Sequence, residues 1–463
     1  MKPRVRVLSV AIAAVLLLAM AGSGGYLLGH SSASAPDVKP SPTAQPITAA
    51  VSGIVVDEAG DTLAASIEVT DTATSTRTRY QTDILGRFDV TLAAGDYMIE
   101  ITKGYEYVPV TREVTVTDRL RQRLTPTTLT RGIDLAALGW HGGDLHQHSS
   151  YEEAQQDVID ILTSDLANGL SWGALTDHNT VDGLAEWMRA GRIGQGADSF
   201  VAIPGLEVTT DRGHILVLGT QRLIDPTAES TADIERIIAE ARAEGATIQL
   251  NHPHLEEPMG FMDWSLHEQF DLLEIWNGKA APPSSGTNEQ SKQSWYALLN
   301  DGVFIPATAD SDNHDIGGGY VWTRGTDDPD SAWMSRGLFS GDPRTYVQVD
   351  GPATPTAIIE GLSAGRSFLT NGPLVQFSLA GALPGQRVDA PSDVATLALD
   401  VFDRRGLTRV VVIENGVAIT EMPLEGTSQN VSIDVPVTSG SWYLVEAFGQ
   451  DGGYAITNPV FIS

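Results

Sequence analysis

Asp144-Leu145-His146-Gln147-His148-Ser149, residues 144–149, brings a carboxylate and two imidazoles together beside a short apolar run, and the arrangement recurs along the chain. The later clusters are Thr176-Asp177-His178-Asn179, Glu207 in PGLEVTT, His214 in GHILVLG, Asn251-His252-Pro253-His254, Glu274 in LLEIWNG and Asp310-Ser311-Asp312-Asn313-His314. Nine of the ten histidines fall between residues 141 and 314. A scatter by length would put roughly four there. A buried imidazole taken alone is usually a satisfied core histidine. A set of imidazoles interleaved with Asp and Glu is instead what divalent transition metals select.

The apolar runs lie at 172–175, 201–203, 215–218, 247–250, 272–275 and 303–305. With a strand at His146 they make seven candidates for a parallel barrel, and helical patterns fall between them. The clearest helix is 230–245, where Ser230 and Asp233 form a capping-box pattern, Ile234, Ile237, Ile238 and Ala241 make one apolar face, and Gly245 is a stop. Comparable patterns end at Gly169, Gly302 and Gly365. His146 to His178, and His178 to Glu207, are each about one βα unit of some thirty residues. Each polar cluster is read as following its strand, and in a parallel barrel those strand ends converge on one face.

On either side the pattern changes to alternating strands. Residues 47–128 read as a small β-sandwich, with turn signals at Glu58-Ala59-Gly60-Asp61, Leu85-Gly86 and Ala94-Gly95-Asp96. Residues 376–463 read as a second sandwich, with Asn415-Gly416 as a hairpin turn. At the N-terminus, Lys2, Arg4 and Arg6 precede an uncharged stretch, so 1–29 reads as a signal anchor or signal peptide and 30–46 as a flexible linker. The rest of the chain is then expected to be exported, anchored facing outward or secreted if the leader is cleaved. The absence of cysteine excludes disulfides and thiolate ligands.

Twenty-nine Lys and Arg against fifty-nine Asp and Glu give a formal charge of -30. That balance repels nucleic acid and anionic lipid, leaving the N-terminal anchor as the expected membrane contact. A phosphate-bearing substrate needs a local positive site, which bound divalent cations supply even inside an acidic protein.

Taken together, the clusters at 144–149, 176–178, Glu207, His214, His252-Pro253 and 311–314 resemble the four signature motifs of the PHP (polymerase and histidinol phosphatase) superfamily over residues 139–375. Gly365-Arg366-Ser367-Phe368-Leu369-Thr370-Asn371-Gly372-Pro373 and Thr457-Asn458-Pro459-Val460 look like its CehA/McbA subgroup, and 52–107 resembles a carboxypeptidase regulatory-like domain. The resemblance implies an α/β fold: a distorted seven-stranded (βα) barrel flanked by the two β-sandwiches, with two or three metals, zinc, manganese or iron. Carried over by position, His146, His148, Glu207 and Asp312 would hold the first metal. Glu207 would bridge to a second on His214 and His252, and His178 and His314 would hold a third. Where the family has a Ser-Asp-Gly setting after the HxH pair, this chain has 149–154 as SSYEEA, and Glu153 lies at the matching offset.

A water bridging two divalent cations loses a proton near neutral pH, so such a site needs no Ser, Cys or Lys nucleophile. His254, Lys279 and Arg366 are candidates for contacting substrate or protonating a leaving group. Asp177 is expected to orient a ligand imidazole, and Asp144 likewise. The expected activity is that of a metal-dependent hydrolase on a small-molecule ester, with phosphoester cleavage foremost. Carbamate or carboxylic ester cleavage is the alternative implied by the CehA/McbA likeness. A metal-containing surface binding protein, contacting protein or glycan through its sandwiches, is the alternative from another class.

Overall fold

The computed structural model describes residues 48–117, 120–193, 200–256, 258–278, 281–316, 339–389 and 393–463. The expected leader at 1–29, the linker at 30–46 and Lys279 lie outside them.

The fold is mixed α/β. At its centre is a strongly curled sheet containing β1 (Trp140–Asp144), β2 (Trp172–Leu175), β3 (Val201–Thr210), β4 (Gly213–Leu218), β5 (Thr247–Leu250), β6 (Leu272–Asn277) and β7 (Ala307–Asp310). These strands neighbour one another in chain order. Beyond β1 the sheet continues into β8 (Arg344–Gln348) and β9 (Ser367–Thr370). Where the chain leaves β1 and β7, Gln147 and Asn313 form a parallel bridge, and Thr345 Oγ1 bonds both N and O of Ala309, so the curl brings the two ends together.

The parallel expectation needs correction at one strand. β1 to β3 are parallel and so are β5 to β7, but β4 is antiparallel to both neighbours. Only two residues, Asp211 and Arg212, separate β3 from β4, too few for the crossover a parallel strand requires. The run at 303–305 is not a strand either. Val303 N bonds Leu298 O at 2.9 Å, closing the preceding helix, and β7 starts at Ala307.

Helices α1 (Val158–Ala167), α2 (Leu184–Ala190), α3 (Thr231–Ala243), α4 (Gly286–Asn300) and α5 (Pro355–Ser363) cover the sheet. α3 begins as its sequence indicates, with Ser230 N donating to Asp233 Oδ2 at 2.9 Å, and buries Ile234, Ile237, Ile238 and Ala241. Gly169, Gly245, Gly302 and Gly365 all have positive φ beyond helix ends, the conformation in which a side chain is strained.

N-terminal to the curled sheet, two four-stranded sheets enclose a core that includes Val51, Ile67, Val90 and Ile99. At the other end, strands Leu374–Leu379, Val394–Phe402 and Ser428–Pro436 form a separate antiparallel sheet. They share the core of Phe377, Leu399, Val412 and Val445 with strands that are not independent of the central sheet: β9 pairs with Tyr454–Thr457, which pairs with Trp442–Gly449. The expected C-terminal sandwich therefore has one face continuous with the central sheet.

The floor of the curl is tight. A Cβ on Gly143 would run into the indole of Trp172, itself fully buried and bonded through Nε1 to His141 O. Gly143→Ala is expected to destabilise the fold by about 3 kcal/mol, the upper end for overpacking, read as a shift of the urea midpoint with an unchanged slope.

Candidate metal centre

Because strands point successive side chains to opposite faces, His146 and His148, two apart in the extended segment after β1, share a side. His178 follows β2, Glu207 lies within β3, His252 follows β5, and Asp312 and His314 follow β7. His214 reaches the same end for a different reason from the one expected. It sits near the start of antiparallel β4, opposite Thr209 across the hairpin, rather than after a strand.

Two of these residues hold a backbone conformation that side chains disfavour: His252 has φ 24° and Asp312 φ 53°. Such residues cost on the order of 1–3 kcal/mol each and persist where surroundings enforce them. Here His252 N donates to Glu274 Oε2 at 2.7 Å, and Asp312 N donates to His146 O at 2.9 Å. Both kinks stand next to the imidazole cluster.

Glu207 is its hub. Its Oε1 lies 3.2 Å from His146 Nε2, 3.1 Å from His214 Nδ1 and 3.4 Å from His252 Nε2. Its Oε2 lies 2.8 Å from His178 Nδ1 and 3.5 Å from His148 Nε2. One fully buried carboxylate thus faces five imidazoles. Asp312 Oδ1 lies 3.2 Å from His148 Nε2 and 3.6 Å from His146 Nε2. Four sets of donor atoms are close enough to share an ion: His146, His148 and Asp312; His178, Glu207 and His214; His146, His252 and Glu274; and His148, Glu152, His178 and His314.

Divalent cations fit this arrangement. His146 Nε2, both ring nitrogens of His148, Glu152 Oε1, Glu207 Oε2 and His252 Nδ1 are buried with no hydrogen-bond partner among the described residues. Several lie within ion-pair distance of one another, as His148 Nδ1 does of Glu152 Oε1 at 2.9 Å. Leaving such groups unsatisfied costs about 1–3 kcal/mol apiece. A cation relieves several at once.

The electrostatics agree. Burial would raise Glu207, yet His146, His178 and His214 hold it well below the usual carboxylate range. Burial would lower His146, but Glu207, Asp312 and Glu274 outweigh it and raise its proton affinity well above the ordinary value. Burial, helped by His178, drives His148 down to about 3, so this imidazole is neutral and its lone pair available. Burial raises Glu152 to about 7.

The remaining expected residues fall elsewhere. Glu153 is exposed, whereas Glu152 enters the cluster, its Oε1 2.9 Å from His148 Nδ1 and its Oε2 accepting from His178 N at 2.9 Å. The loop turns the first of the two glutamates inward. His254 lies outside the four sets, with Nε2 2.8 Å from Ser294 Oγ on α4. Arg366 precedes β9, at the end opposite the cluster, and pairs with Asp350 at 3.0 Å. Asp177 accepts from Ser149 N and Oγ at 2.6 and 2.7 Å and so fixes the loop after the HxH pair. Asp144 ties His146 N, Ser311 N and Gly341 N together, fixing the backbone beneath two donor loops. Asn251, whose Nδ2 donates to Glu207 Oε1 at 2.7 Å, carries no distinguishing signal in the sequence.

Glu274 supports two donors, with Oε1 3.2 Å from His146 Nδ1 and Oε2 on His252 N. Glu274→Gln is expected to weaken metal affinity 10–100-fold, the usual effect of losing such support, measured by competition with a chelating dye.

No family model matches the chain, and no curated protein matches it. Among solved structures, it is similar to a two-domain protein from Bacteroides vulgatus containing a predicted PHP-like metal-dependent phosphoesterase. The identity is 15%, covering 69% of this chain and 95% of that one, with a TM-score of 0.40. An amidohydrolase from Chromobacterium violaceum matches at 18% identity over 37% of this chain and 87% of its own, with a TM-score of 0.25. Identities and scores this low leave the geometry above to carry the functional reading.

Proposed function

We propose that this chain is a metal-dependent hydrolase, foremost a phosphoesterase, built on a distorted PHP-type barrel over residues 139–375 and acting outside the cytoplasmic membrane. The observation that carries the reading is Glu207 buried among five imidazoles at one end of the curled sheet. His146, His148, Glu207 and Asp312 would hold one divalent ion, and Glu207, His214 and His252 a second. His178, His314 and Glu152 would offer a third place. Bound there, zinc, manganese or iron supplies Lewis acidity and a water of lowered pKa. The chain's own part is to keep the donors dry, to hold His148 neutral and to fix His146 and His252 through Glu274. The leader is proposed as the only membrane contact, and the two flanking sandwiches as spacers or contact surfaces.

The test is a panel of activated phosphomonoesters, phosphodiesters, carbamate esters and carboxylic esters, offered to the protein loaded with Mn²⁺ or Zn²⁺. Phosphoester turnover that a chelator abolishes and metal restores is the expected result. Turnover confined to the carbamates or carboxylic esters moves the substrate class toward the CehA/McbA type. No turnover on any ester contradicts the hydrolase reading and leaves a metal-containing binding protein.

A further inference from the structure

None of the clustered histidines lines a cavity of about 1040 Å³ that reaches Gln156, whose Nε2 donates to His148 O at 2.7 Å, and Asp315, next to His314. The cavity's walls come from the N-terminal strands, from the segments at 155–156 and 315–316, from the α1 side of the central sheet and from the loops at 403–405 and 450–453. Pockets that take small molecules run to about 300–1,000 Å³, so its size is ample for one.

Two arginines on its wall stand out. Arg344 is 2% exposed. Its recorded hydrogen bonds are both to backbone carbonyls, Nε to Gly341 O and Nη1 to Asn168 O, each at 2.8 Å. Among the described residues, Arg404 donates through Nη1 to Thr102 Oγ1 and Gly104 O. Neither guanidinium has a carboxylate within ion-pair distance among the described residues, whereas their neighbours Arg77, Arg79 and Arg405 are paired with Glu68 and Glu100. Both pack on the ring of Tyr105, with Cζ 4.1 and 5.4 Å from its centroid. Burial lowers Arg404 to about 10 and raises the nearby Asp403 carboxyl above its ordinary range. Carboxylates also line the cavity, among them Asp160, Asp315 and Asp342, but none lies within ion-pair distance of these two guanidiniums among the described residues.

Burying a charge without a counter-charge is costly unless something pairs with it. In a chain of formal charge -30, a buried and a half-buried guanidinium on one aromatic ring, neither within ion-pair distance of a carboxylate among the described residues, are donors suited to an oxyanion. We propose that this cavity is a second ligand site, distinct from the metal centre, that binds a small polar molecule through a carboxylate or phosphate held by Arg344 and Arg404. Tyr105 supplies an apolar ring beside both. The proposal does not rest on the hydrolase reading.

The test uses phenylglyoxal modification of the full chain, with Arg404 followed by peptide mapping. Inorganic phosphate, a hexose phosphate, a hexuronate and a neutral hexose are added in turn. At least one anion is expected to slow modification of Arg404 tenfold or more while the neutral hexose does not, and the anion effective at the lowest concentration distinguishes phosphate from carboxylate. The protection is expected to survive chelation of metals. Arg404→Lys should bind the protecting anion at least tenfold more weakly at an unchanged melting temperature. Equal modification rates under all conditions, protection by the neutral hexose, or protection that disappears with the metals would overturn the site.

Discussion

Glu207→Gln is expected to lower metal-dependent ester hydrolysis by about 10³-fold or more, with the fold retained by circular dichroism. The substitution keeps the size of the side chain and removes its charge. Glu207 lies within 3.5 Å of all five imidazoles, and His146, His178 and His214 keep it ionised despite complete burial. Gln offers one acceptor oxygen and no charge, so it cannot serve two cations. Metal catalysis contributes several kcal/mol of transition-state stabilisation, and about 4 kcal/mol corresponds to three orders of magnitude in rate. The readout is kcat/KM on the best ester of the panel, with metal content determined on the same sample. Retained metal and near-wild-type turnover in Glu207→Gln would contradict the bridging role.

Removing the metals is expected to lower the melting temperature by about 5 °C when the free ion stands at about a thousand times its dissociation constant, equivalent to about 4 kcal/mol in a chain of this length. The origin is the buried donor set, whose unsatisfied atoms and mutual repulsions a cation offsets. The effect should grow with pH. In the metal-free protein burial raises Glu152 to about 7, and the surrounding carboxylates raise His146 well above its ordinary value despite burial. A cation must displace those protons, so binding releases them and affinity falls as pH drops through 7. Paired melts with and without chelator at pH 6 and pH 8 measure the difference, which should be larger at pH 8.

Much of the site is legible along the chain because strand periodicity is so regular. His146 and His148 sit two apart, and His178, His252 and His314 each follow a run that the structure places next to a strand end. Strand direction is less legible, since an apolar run at 215–218 reads alike whichever way it points. The short link between β3 and β4 was the available signal. Glu152 rather than Glu153 enters the cluster because of the path of a loop without periodicity, anchored through a bond to His178 N that only the folded chain reveals. Arg366 shows the limit of motif likeness. Its place before β9, not after it, sends it to the far end of the sheet. The continuity of β9 with the C-terminal strands was hidden for a similar reason, because alternation marks a strand without naming its neighbour.

The most direct test of the account is a crystal grown with manganese and measured for anomalous scattering. At least two peaks are expected per chain, both beside Glu207 and within reach of His146, His148, His214 and His252. A well-ordered crystal from metal-supplemented protein with no anomalous peak at Glu207, or with peaks only on the outer surface, would contradict it.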